Sequence, residues 1–158
     1  MDRRQILVAG IGASLVLAMW EMVVEAVIPN SAGFFGPPIA IGATVVRDLQ
    51  GSGNPIPFDA LAVVVGLMGH MMNSIILAAI FGLIVARLTP SAAATIGLGM
   101  AWGAAVFATM WFIVVPAIDP LMLNLNAATF VAGHLMWGAA LGVIWTRFGS
   151  SSELNFAR

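Results

Sequence analysis

Four ionisable side chains, Glu21, Glu25, His70 and His134, sit inside stretches that are otherwise almost wholly apolar. Each histidine follows a glycine and precedes a methionine by two positions: Gly69-His70-Met71-Met72 and Gly133-His134-Leu135-Met136. Neutral imidazole is a good metal ligand, so such a pair can ligate the iron of haem b axially, the flanking glycines leaving room for a flat macrocycle. A second reading is a metal ion held by His70, His134 and Glu21, with Asn73 or Ser74 orienting the ligands. A third is a proton or ion relay through Glu21, Glu25, Asn73 and the histidines. The plainest is that each imidazole donates to a carbonyl, to Glu21 or to a partner subunit and stitches helices together. Met19, Met22, Met68, Met71, Met72 and Met136 lie near the same level, where methionine is more often gap-filling core than ligand.

The elements that must position these groups are membrane spans. Of the 158 residues, 61% are hydrophobic and only 8% charged. Charge-free runs from Ala60 to Ala86, Leu88 to Ile118 and Pro120 to Thr146 each exceed the roughly 20 apolar residues that cross a bilayer. The expected fold is therefore an all-α integral membrane protein: one domain over residues 1–158, with four transmembrane helices at about 6–28, 60–86, 92–118 and 127–146. Little chain is left for a soluble catalytic domain or a nucleic-acid-binding module. Cysteine is absent, which removes disulfides, thiolate metal sites and thiol catalysis. The start, Arg3-Arg4-Gln5-Ile6-Leu7, resembles a twin-arginine export signal, but no small-residue cleavage site follows, and an uncleaved anchor is expected.

Lysine is absent, and Arg3, Arg4, Arg87, Arg147 and Arg158 fall on the side of the two termini against Arg47 alone on the other. Both termini are expected in the cytoplasm. The long outer connection contains Pro37-Pro38-Ile39-Ala40-Ile41 and the charged turn Arg47-Asp48, which suggests a short interfacial helix or re-entrant segment over about 37–50. The stretch from Phe148 to Glu153 reads as a frayed end. At 1.5 Å per residue, Glu21, His70 and His134 fall at one level roughly 5 Å outward of the span centres. Glu25 lies one turn higher, near the outer surface and partly wet.

The chain also resembles itself. Shifted by 91 positions, Met19-Trp20-Glu21-Met22-Val23-Val24-Glu25-Ala26-Val27-Ile28-Pro29 shares Met, Trp, Val, Val, Ala and Pro with Met110 to Pro120. Shifted by 64, the two Gly-His motifs align, followed by Leu77/Leu141 and Ile80/Ile144. This is the pattern of two parallel helix pairs related by an axis along the membrane normal. The repeat is imperfect where it matters: Phe112 and Pro116 replace the glutamates, and Trp137 replaces Asn73, so any site is asymmetric. Helical spacing places Gly10, Ser14, Ala18, Glu21 and Glu25 on one stripe and Gly66, His70, Asn73 and Ser74 on another. Gly99/Gly103 and Gly138/Gly142 mark faces for close helix packing. Pro116 should kink the third span. Trp20 and Trp111 lie deep and are expected in the core, whereas Trp145, beside Arg147, fits an interfacial belt.

Trp20 with its following glutamates, Gly69-His70, and Gly133-His134-Leu135-Met136-Trp137 in the last span together resemble the YagU-like bacterial inner-membrane proteins. The resemblance follows the four spans in order and maps onto Trp20, Glu25, His70 and His134. It implies a four-helix inner-membrane protein and carries over no catalytic residues. No P-loop, G-x-S-x-G, H-E-x-x-H or dinucleotide fingerprint occurs, so no enzyme signature is present. The expected function is a non-enzymatic accessory or scaffold subunit of a larger membrane assembly. Its partners are the lipid bilayer and other membrane-protein subunits or further copies of itself. The alternative is a proton- or ion-coupled transporter using the Glu/His face.

Overall fold

In a computed structural model the described backbone covers residues 2–156, with side chains described for 2–148. The protein is all-helical, with no strand among the described residues. Helix α1 (Arg3–Val27) starts on Asp2, whose carboxylate accepts from the Arg4 N–H at 2.9 Å. A short α2 (Gly36–Gly42) and a 3-10 turn (Arg47–Gly51) occupy the long connection. Helix α3 (Ala60–Leu88) is capped by Asp59. Helix α4 (Ala92–Thr109) is capped by Ser91. It passes through a π-helical turn, Met110–Val114, into α5 (Val115–Ile118). The last helix, α6 (Ala127–Phe156), follows a 3-10 turn over Pro120–Asn124 and starts on the side chain of Asn126.

Four segments are long and apolar enough to cross a membrane: Arg3–Val27, Ala60–Leu88, Ala92–Ile118 and Ala127–Phe148. The first begins three residues earlier than its apolar run, because Asp2 supplies the cap that brings Arg3, Arg4 and Gln5 into the helix. Pro116 does not end the third span. Its missing N–H is absorbed by the π-turn just before it, a wider loop of backbone of the kind that recurs inside long helices beside functional sites. Helix α6 continues to Phe156, through the stretch expected to fray, since no proline or left-handed residue stops it. Arg158 lies outside the described residues.

The helices are ordered α3, α1, α6, α4: α1 packs on both α3 and α6, and α6 packs on α4, whereas α3 and α4 scarcely meet. Glycines explain the closest of these contacts and that of α2 with α3. A Cβ on Gly99 or Gly138 would fall on the other's carbonyl oxygen, and one on Gly103 on the carbonyl of His134, so α4 and α6 lie backbone to backbone. Gly42 and Gly66 do the same for α2 and α3, meeting the carbonyls of Ala62 and Pro38.

Two apolar cores result. One, on the side of α2, joins Ile39, Ala40, Val115, Leu121 and Phe130. The other, towards the termini, joins Ala13, Phe81, Trp137, Leu141 and Trp145. Trp145 is therefore core and not belt: it is 6% exposed and stands edge-on to Phe81 at 5.9 Å. Its backbone carbonyl accepts from the Gln5 side chain.

Candidate functional site: a polar cavity in the open seam

Between the two cores, where α3 and α4 fail to close, lies a cavity of about 220 Å³. Its walls are mainly apolar, from Leu17, Leu77, Val106, Met110 and Phe130, and its polar members include Glu21, His70, Asn73, His134 and Asp119. Four of these were expected as site residues from the sequence, and one cavity brings them together.

His134 is 6% exposed, and its Nδ1–H donates to the carbonyl of Phe130, one turn back, at 2.9 Å. The ring lies 4.5 Å from that of Phe130 and 6.0 Å from that of Phe107. His70 donates from Nε2 to the carbonyl of Ser14 on α1 at 3.2 Å. Since a carbonyl only accepts, these bonds fix which nitrogen is protonated. In the neutral rings the remaining lone pairs are Nδ1 of His70 and Nε2 of His134. His70 thus ties α3 to α1, whereas His134 bonds back within its own helix, and each keeps one acceptor.

Glu21 is 3% exposed, and its Oε1 has no hydrogen-bond partner. Asn73 is exposed while lining the cavity, which places it at the mouth on the α3 edge. Ser74, one residue on, closes the bottom. Its hydroxyl donates to the carbonyl of Gly10 at 2.8 Å and accepts from the indole N–H of Trp137 at 2.8 Å.

Glu25 belongs elsewhere. It is 1% exposed, not partly wet, and its carboxylate accepts from the backbone N–H groups of Asn126 at 2.7 Å and Ala32 at 3.3 Å. Ser31 Oγ donates to its backbone carbonyl. It does not line the cavity. Trp20 likewise serves packing, donating to the carbonyl of Thr129 at 3.0 Å.

The cavity is smaller than the roughly 300–1,000 Å³ that encloses drug-sized ligands, and a porphyrin exceeds most of those. Gly133 makes room for Leu17 and Trp20 of α1, not for a macrocycle. Haem does not fit. Nor do any three His, Asp or Glu side chains among the described residues gather as a metal-holding group, so Glu21, His70 and His134 share a cavity without forming a three-ligand site.

Sequence reasoning missed Asp119, the single charge between the charge-free runs that end at Ile118 and begin at Pro120. It is 3% exposed, accepts from Gln50 Nε2 at 2.6 Å through Oδ1, and leaves Oδ2 without a partner. The only local signal was an acidic residue abutting a proline at a span end, since Gln50 and Arg47 come from the other connection. Burial pushes its carboxyl above the usual carboxylate range, against the Gln50 hydrogen bond and the nearby Arg47 charge. The folded state then holds a proton that the unfolded chain has lost. Stability should therefore fall as pH rises from the ordinary carboxylate range through the raised value, and Asp119→Asn should flatten that slope. Thermal unfolding in nanodiscs at a series of pH values checks this; an unchanged slope in the variant would contradict it.

No family model, curated protein or solved structure matches the chain.

Proposed function

We propose that this small polytopic membrane protein is a non-enzymatic accessory subunit of a larger assembly in the bacterial inner membrane, with both termini cytoplasmic. The observation that carries this reading is the packing between the cavity and the end of the bundle that holds the termini. Towards the termini the cavity meets the Trp137–Ser74–Gly10 hydrogen-bond chain and then the core of Phe81, Leu141 and Trp145. Packing of this kind supports a holding role over an open channel. Arginine placement supports the orientation. Membership among YagU-like proteins, through Trp20, Glu25, His70 and His134, is part of the same proposal.

The parallel repeat also belongs here. It pairs α1 with α3 and α4 with α6, and both pairs pack. A true two-fold would make the α3/α4 seam equal to α1/α6, yet only the latter is closed. The site occupies the seam where that symmetry fails.

The second reading is a proton- or ion-coupled carrier, favoured because Glu21, His70 and Asn73 line one cavity. Reconstitution into liposomes separates the two. The accessory reading expects no proton or ion flux above empty vesicles and co-purification within a larger complex in mild detergent. A flux abolished by Glu21→Gln and by His70→Ala would overturn it in favour of the carrier.

A further inference from the structure

The polar groups of the cavity are strongly one-sided. Glu21 Oε1 has no partner and neither has Asp119 Oδ2, an acceptor once its carboxyl is ionised, and the free lone pairs of His70 and His134 add two acceptors. Among the lining donors, the Ser74 hydroxyl is used on Gly10, the Trp137 indole on Ser74 and the Thr44 hydroxyl on Ile41. Only the amide of Asn73 is uncommitted. Among the described residues no arginine lines the cavity, and the chain has no lysine. Buried acceptors left unpaired are costly, so the missing partner must bring donors and must not be an anion. A primary ammonium offers three donors and no acceptor.

The shape adds the rest. The cavity holds only a small head, its walls are mainly apolar, and its mouth at Asn73 opens through the unclosed α3/α4 seam. The neighbouring surface of α3 is apolar too, with Met72 and Ile76 exposed. The π-turn at Met110–Val114 shapes the opposite wall, contributing Met110 and Val114. From these we infer that the cavity binds the head of a long-chain amine that enters sideways from the lipid, its ammonium seated among Glu21, His134 and Asp119 and its chain left in the seam. This goes beyond the accessory role and is read on the isolated chain, so either can fail without the other.

The test is titration of the full chain in phosphatidylcholine nanodiscs with dodecylamine, dodecanol, dodecanoate and butylamine, followed by native mass spectrometry and tryptophan fluorescence. Dodecylamine should bind saturably at one per chain. Its affinity should fall at least tenfold in Glu21→Gln, and similarly in Asn73→Trp, which blocks an exposed mouth without disturbing the core. Dodecanol should bind more weakly and dodecanoate should not compete. Binding of dodecanoate as tight as that of dodecylamine would overturn the donor argument. So would dodecylamine uptake that both variants and empty nanodiscs share. Equal affinity for butylamine would overturn access from the lipid and leave a soluble amine.

Discussion

Gly138→Val is expected to separate α4 from α6 and to be the most damaging single change in the spans. A Cβ at Gly138 falls on the carbonyl oxygen of Gly99, and one at Gly99 falls on that of Gly138. The obstacle in both cases is backbone, which cannot rotate aside as a side chain can. Overpacking a core costs about 1–3 kcal/mol when neighbours can shift; here the whole helix must move, so about 3 kcal/mol or more is expected. The damage would reach the cavity, because the next contact along the seam is Gly103 against the carbonyl of His134. Gly97, on α4 with Gly99, is the control, since a Cβ added there would meet nothing within 4 Å. Gly97→Ala should be neutral or stabilising by about 1 kcal/mol. Thermal unfolding in nanodiscs and the fraction surviving graded SDS measure both. Comparable tolerance of the two substitutions would show that α4 and α6 do not approach this closely.

Much of this architecture is legible in the sequence because it rests on sums. Hydropathy accumulates over some twenty residues per span, so the four membrane helices are visible despite errors at their ends. The spacing of Gly99/Gly103 and Gly138/Gly142 likewise marks a packing face, and the structure puts those faces together. The stripe of Gly10, Ser14 and Glu21 reads correctly, since helical geometry alone places them on one side. What cannot be read is which groups meet across the fold. The Ser14 carbonyl that receives His70 is a backbone atom present at every residue. Trp145 beside an arginine looks interfacial until Phe81 packs on it. Asp119 looks like a loop residue until Gln50 arrives from the other connection. Above all, a two-pair repeat predicts two equivalent seams, and nothing local states that the one between α3 and α4 stays open.

Glu25→Ala should be the second most damaging substitution, and for a reason unrelated to proton transfer. Its two carboxylate oxygens accept from the N–H groups of Ala32 and Asn126, residues that lead into α2 and α6 respectively. One side chain therefore ties the end of α1 to both connections on the α2 side. Alanine would strand both donors in a region where Glu25 itself is only 1% exposed, and each stranded group costs about 1–3 kcal/mol. Glu25→Gln keeps one acceptor oxygen and should lose roughly half as much. Hydrogen exchange should quicken at the Ala32 and Asn126 amides in the alanine variant, with a lowered unfolding temperature. A relay residue would behave in the opposite way, Glu25→Gln abolishing a flux while stability and amide protection stayed as they were. Because the Asn126 side chain in turn caps α6 through the N–H groups of Ala128 and Thr129, loss of Glu25 should loosen the start of the helix that carries His134. The effect on the cavity is then indirect, and the Asn126 amide should respond before any group that lines it.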